Sequence, residues 1–190
     1  MFKYLYLTEI EWADTWIGGG LIPIKLASTY LHPERNGVLT PDENLIHKSN
    51  VDIRSLSPGI HLDNIKNLNM SNVVINGRRV PDIQNASYYK EDGLILSFCD
   101  SENAAIAERL GKKCCVRVSK LKELKKAIDS QLGVKGTMGP CQYTTDHQRN
   151  HFLKSVEDAW QEEFRMLWKF PENVSVTIPG GHAKLVAKYT

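Results

Sequence analysis

The stretch Leu94-Ile95-Leu96-Ser97-Phe98-Cys99 is apolar at every position but one, and Gly93 and Asp100 bound it. A short apolar run closed by turn residues reads as a buried strand. Its surroundings then constrain the fold class. Residues 2–8, Phe-Lys-Tyr-Leu-Tyr-Leu-Thr, alternate and are rich in aromatics, as a strand does. Cys114–Val118, Val174–Ile178 and residues 183–189 are further strand candidates, the last two joined by a Pro-Gly-Gly turn. Helical patterns fall at 9–17, 101–110, 119–132 and 146–159, and Cys141-Gln142-Tyr143-Thr144 suits a short strand. Strands and helices therefore mix without regular alternation, which predicts an α+β fold. A chain of 190 residues is long enough for one sizeable core, so a single domain over 1–190 is expected.

Punctuation supports these boundaries. Gly18-Gly19-Gly20 stops the first helix, because glycine accepts the left-handed geometry of a helix end. Pro23 marks an edge or bend in the extended run that follows. Asp100 or Ser101 would cap the helix that ends before Gly111. From about 31 to 85 the chain is loop-rich, with Pro33, Pro41, Pro58 and Pro81, short apolar runs, and an Asn76-Gly77 hairpin signal. Such a segment would either cover a ligand cleft or decorate a surface.

Charge and cysteine usage narrow the function classes. The net charge of +2 neither demands nor excludes a nucleic-acid partner, although Lys112, Lys113, Lys120, Lys122, Lys125 and Lys126 cluster. Those lysines read first as a solvated helix face. Cys99, Cys114, Cys115 and Cys141 have neither disulfide-framework nor zinc-ribbon spacing, so buried free thiols are expected. His147 and His151 stand four apart, a zinc spacing on a helix, but lack a diagnostic third ligand and read as a polar helix face. No apolar run approaches the roughly 20 residues of a bilayer span, and no secretory leader pattern opens the sequence. A cytoplasmic protein without a membrane partner is the expectation.

In Gln161 to Trp168 two periodicities compete. As a strand, Gln161, Glu163, Arg165 and Leu167 share one face, in a row about 6.5 to 7 Å apart, with Glu162 in the opposite layer. As a helix, Trp160, Phe164 and Trp168 form one stripe and Glu162 and Arg165 are exposed. Pattern alone leaves the two even.

The run Phe152, Lys154, Trp160, Gln161, Glu163, Phe164 and Arg165 resembles the Gln/Glu-x-Glu strand region of the ADP-ribosyltransferase superfamily. Ile95-Leu96-Ser97-Phe98-Cys99 is similar to the apolar Ser-Phe-Ser strand of bacterial members, with Cys99 in place of the second serine. Leu5-Tyr6-Leu7-Thr8 followed by Gly-Leu resembles the Tyr-His-x-Thr opening of nucleic-acid-modifying members, with Tyr6 in place of histidine. The resemblance implies a split β-sheet core with flanking helices and NAD as substrate. It implies Glu163 as the carboxylate that stabilises an oxocarbenium-like ribose, and Gln161 as the residue facing the acceptor. Ser97 would support that carboxylate or the nicotinamide ribose, Tyr6 and Thr8 would hold the other end of NAD, and Tyr30 would stack on nicotinamide. Arg165 would orient Glu163 or face solvent.

The bacterial members suggest a toxin or anti-phage effector with a neutralising antitoxin protein. A nucleic acid is the first acceptor expected and a protein the second. A catalytically inactive binding module of the same fold, with its basic helix on an acidic partner, and an NAD hydrolase are the competing classes.

Overall fold

Alternation along Leu94–Cys99 sends Leu94, Leu96 and Phe98 into the main hydrophobic core and Ile95, Ser97 and Cys99 to the opposite face. The rest of the fold is arranged around that division. The computed structural model describes residues 1–31, 42–57 and 59–189.

In chain order the first half holds β1 (Lys3–Leu7), α1 (Trp12–Gly18), β2 (Gly20–Leu26), β3 (Leu45–Lys48), β4 (Ile65–Met70), β5 (Val74–Ile75), β6 (Arg78–Arg79) and β7 (Ile83–Lys90). The second half holds β8 (Leu94–Cys99), α2 (Ala104–Leu110), β9 (Cys114–Val118), α3 (Leu121–Leu132), β10 (Thr137–Pro140), β11 (Gln142–Thr144), β12 (Leu153–Ser155), β13 (Glu163–Trp168), β14 (Val174–Ile178) and β15 (Ala183–Lys188). Short 3-10 helices cover Ala27–Leu31, Ile53–Leu56 and Val156–Gln161. The fold is α+β.

The main sheet runs β10-β13-β8-β1-β9-β15, with every pair antiparallel. β8 pairs along its whole length with β13, whereas its second edge is shared. β1 takes the Cys99 end, β2 takes the Leu94 and Ile95 end, and β14 pairs with β2. One face of this sheet is the core. Leu5, Val116, Phe98, Phe164, Met166 and Trp168 pack there under Trp16 of α1 and Leu121, Leu124 and Ile128 of α3. On the other face α2 covers Tyr6, Cys99 and Cys115, while Leu167 and Ile95 pack with Ala27 and Phe152. Between these two patches the face stays polar.

Several expectations are corrected here. The loop-rich stretch holds a second antiparallel sheet, β3-β7-β4, with its own small core of Ile53, Leu56, Ile83 and Ala86. Its strands were hard to see because bulges break the alternation, and Asn64, Asn67 and Asn85 take positive φ within or beside them. The Asn76-Gly77 turn joins β5 to β6 as expected, both residues with positive φ. Pro33, Pro41 and Pro58 lie outside the described residues.

The cap of α2 is Asn103, whose side chain accepts from the Ala105 N–H, rather than Asp100 or Ser101. No α-helix covers 146–159, where β12 and the start of the 3-10 helix Val156–Gln161 stand instead. Asn150 Oδ1 accepts from the Phe152 N–H at 2.8 Å and Ser155 Oγ from the Glu157 N–H at 3.3 Å, so short polar side chains capture N–H groups that a helix would need. All four cysteines are free and buried, and burial pushes the thiols of Cys99, Cys115 and Cys141 up to about 12. Among the described residues no helix is long and apolar enough to cross a membrane.

Candidate active site

The polar strip on the second face of the sheet opens into a cleft of about 220 Å³. Adjacent strands supply its floor: Tyr6 from β1, Ser97 and Cys99 from β8, and Glu163 and Arg165 from β13. Register places them together, because Glu163 pairs with Cys99 and Arg165 with Ser97 across β13 and β8. Tyr30, Glu43, Lys112, Lys154 and Gln161 complete much of the wall.

Strand β13 begins at Glu163 because Glu162 adopts a left-handed conformation, φ 45° and ψ 48°, and caps the 3-10 helix Val156–Gln161. The backbone of Glu163 is fixed on both sides. Its N–H donates to the Tyr143 hydroxyl at 2.8 Å, and its carbonyl accepts from the Cys141 N–H at 2.8 Å. The side chain is 5% exposed and carries its charge among matched donors. Arg165 Nε donates to Oε1 at 2.9 Å with Nη2 2.8 Å from the same oxygen, Lys154 Nζ donates to Oε2 at 3.0 Å, and Ser97 lines the same cleft. Burial pushes this carboxyl up, but the charges of Arg165 and Lys154 outweigh it and hold it at about 2.

Both cations also meet a second carboxylate. Arg165, 1% exposed, forms an ion pair with Glu43 and donates to the His151 carbonyl at 2.7 Å. Lys154 stands on β12, where β11 pairs Tyr143 beside it, and lies 3.7 Å from Glu43 Oε2 and 3.8 Å from Asp158 Oδ2. Burial works against its charge, and Glu163 and Glu43 keep it protonated. Each buried charge therefore has an opposite partner, without which the desolvation cost would be prohibitive.

Five of the six predicted site residues, Tyr6, Tyr30, Ser97, Gln161 and Glu163, line this one cleft. Thr8 is not among its lining, but its Oγ1 accepts from the ammonium of Lys112, which is, at 2.9 Å. The Tyr6 hydroxyl is engaged locally: it accepts the Asn103 N–H at 2.7 Å and donates to the Ser101 carbonyl at 3.0 Å. Its ring stacks on Tyr189.

Gln161 is not on the strand face with Glu163. It ends the 3-10 helix, buried, with Oε1 accepting from Lys154 at 2.9 Å and Nε2 donating to Asp158 at 3.3 Å. Glu162 is exposed rather than in the opposite layer, and accepts a hydrogen bond from Ser101 Oγ. For Arg165 the orienting role fits and the solvent-facing one does not. His147 and His151 share no helix, and no group of three or more potential ligands is placed to hold a metal among the described residues.

Glu43 and Lys112 escaped the sequence reading. Glu43 sits beside Pro41 and Asp42 with no periodic signal, and Lys112 was submerged in a group of lysines. No family model, curated protein or solved structure matches this chain.

Proposed function

We propose that the chain is an NAD-dependent mono-ADP-ribosyltransferase with Glu163 as its catalytic carboxylate. The observation that carries this reading is a single cleft in which Tyr6, Tyr30, Ser97, Gln161 and Glu163 converge from distant parts of the sequence on a buried, ionised carboxylate. At about 220 Å³ the cleft is small beside typical ligand sites of about 300 to 1,000 Å³. It suits the nicotinamide-ribose half of NAD, with the remainder along the open rim.

The lining charges, Lys112, Lys154 and Arg165 against Glu43 and Glu163, suit a ligand that is anionic at one end and cationic at the other. NAD has that character, with its pyrophosphate and its nicotinamidium ring. In the reaction the bond between ribose C1′ and the nicotinamide nitrogen breaks, and its electron pair leaves with the now neutral nicotinamide. Positive charge builds on C1′ and the ring oxygen, and the Glu163 carboxylate is fixed to stabilise it and to accept a ribose hydroxyl. The acceptor's nucleophile then bonds C1′ and loses its proton. Arg165 holds the carboxylate's orientation, Ser97 supports it from the neighbouring strand, and Tyr30 offers a ring to the nicotinamide.

A nucleic acid is the acceptor we place first, on the Tyr6-x-Thr8 opening and the Lys112 ammonium at the cleft. The lysines of α3 contribute little to that case, since their helix packs on the other face of the sheet. A role as a toxin or anti-phage effector held in check by an antitoxin protein follows the same resemblance.

The test incubates the protein and Glu163→Gln with labelled NAD and separate pools of RNA, DNA and protein. Label is expected in the RNA or DNA pool, reduced about 10²- to 10³-fold in the variant, as for removal of one electrostatic stabiliser. Label in protein would reassign the acceptor, and free ADP-ribose alone would mark an NAD hydrolase. A wild-type protein that neither binds nor consumes NAD would leave the binding module.

A further inference from the structure

Both oxygens of the Glu163 carboxylate are covered. Arg165 Nε donates to Oε1 at 2.9 Å with Nη2 2.8 Å from the same oxygen, Lys154 Nζ donates to Oε2 at 3.0 Å, and the side chain is 5% exposed. A ribose hydroxyl that bonds Oε2 therefore has to displace the Lys154 ammonium from it. Arg165 is clamped at three places, by Glu163, Glu43 and the His151 carbonyl, and its planar fork cannot release one oxygen without losing the others. Lys154 differs. Its ammonium is a point charge on a flexible stem, and it is already surrounded by alternative acceptors: Gln161 Oε1 at 2.9 Å, Glu43 Oε2 at 3.7 Å and Asp158 Oδ2 at 3.8 Å.

We propose that Lys154 is an exchangeable counter-ion: it covers Glu163 Oε2 until a ribose hydroxyl arrives, then shifts its hydrogen bond towards Gln161, Asp158 and Glu43. This rests on the transferase reading and changes the role of Gln161. The Asp158 carboxylate accepts from Gln161 Nε2, which keeps the amide oxygen turned to Lys154. Gln161 is thus a positioning residue that receives the displaced ammonium, rather than the group that meets the acceptor. The exchange moves no bond other than hydrogen bonds and keeps the charge of the cluster constant.

The experiment measures NAD affinity by calorimetry and turnover across pH for wild type, Lys154→Met, Gln161→Met and the double variant. Lys154→Met removes the competitor for Oε2. It is expected to bind NAD as tightly as wild type or tighter, to turn it over more slowly, and to shift the acid limb of the pH–rate profile upward. Gln161→Met removes the receiving acceptor and is expected to weaken NAD binding about tenfold, the equivalent of one hydrogen bond to a charged group. In the double variant that weakening should vanish.

Additive losses, or a Lys154→Met protein that loses NAD affinity as Gln161→Met does, would overturn the exchange while leaving the transferase reading intact. If Lys154→Met fails to fold, Gln161→Glu decides: a carboxylate draws the ammonium more strongly, so it must bind NAD tighter than Gln161→Met, and equal affinities overturn the exchange. A wild-type protein that binds no NAD overturns both.

Discussion

At one end of the cleft Thr8 accepts a hydrogen bond from the Lys112 ammonium, and at the other Lys154 and Arg165 share Glu163 with Glu43. The two ends call for different single-residue tests. Under the NAD reading Lys112 faces the pyrophosphate, so Lys112→Ala should weaken NAD about tenfold, the scale of one charge-assisted contact, and leave nicotinamide riboside binding unchanged. Thr8→Val, which removes this one acceptor and keeps the ammonium, should weaken NAD less. Equal losses for both ligands would show that Lys112 supports the wall and does not meet phosphate. At the Glu163 end the test is stability. Glu163→Ala removes the nearest carboxylate of buried Lys154 and a partner of buried Arg165, leaving Glu43 shared between them, and should cost about 3 to 5 kcal/mol in chemical denaturation, the range for breaking a buried pair. Glu163→Gln keeps an acceptor oxygen for Arg165 or Lys154 and should cost less, which makes it the better variant for activity.

Strand β13 carries the site, and its position depends on β10 and on Trp168. The Trp168 indole donates to Asp129 Oδ1 at 2.6 Å, and the same carboxylate oxygen accepts the Gly136 N–H at 3.0 Å. One acidic side chain of α3 thus ties the far end of β13 to the turn that leads into β10. A methyl group at Gly136 would lie 2.4 Å from Trp168 Nε1 and 2.8 Å from the Leu167 carbonyl, so the space is taken by atoms that cannot yield. Gly136→Ala is expected to destabilise the protein by about 1 to 3 kcal/mol, as overpacking does, read as a lower thermal midpoint. An unchanged midpoint would mean that β10 is free to move off β13.

At this level some elements were plain in the sequence. β8 showed as a continuous apolar run, and the second end of α2 showed in Gly111, whose φ of 64° closes the helix. The segment 146–159 was misread because its apolar residues fall at helical spacing, while Asn150 and Ser155 spend their side chains on local N–H groups. Helical spacing predicts a helix only when no such competitor is nearby.

Across the whole molecule, acid stability links the two sheets. His47 of β3 is buried against His147, and burial, then the neighbouring His147, holds its imidazole down to about 4. A folded-state value below the unfolded one means that stability is complete above about 6.5 and is lost as pH falls through about 4. Glu163 has the same sign at lower pH: its contribution is full above about 4.5 and disappears on approach to about 2. Denaturation midpoints should therefore decline in two stages on acidification. His47→Gln should make the stage between pH 6.5 and 4 shallower, leaving the share of His151, whose imidazole burial also lowers, and leave the lower stage unchanged; parallel curves for variant and wild type would exclude His47 as a cause.

The sequence by itself determined the α+β mixture, the strand character of β1, β8, β9, β14 and β15, and the burial of the four thiols, because those follow from local periodicity and side-chain polarity. It left Gln161 to Trp168 even between helix and strand. Pairing with β8 and β10 decided that question, since a strand there satisfies backbone groups on both edges at once. Only the tertiary structure brought Glu43 and Lys154 to Glu163 and turned Gln161 away from the strand face. Ion pairs between residues more than a hundred positions apart, such as Glu43 and Arg165, leave no periodic trace in a chain.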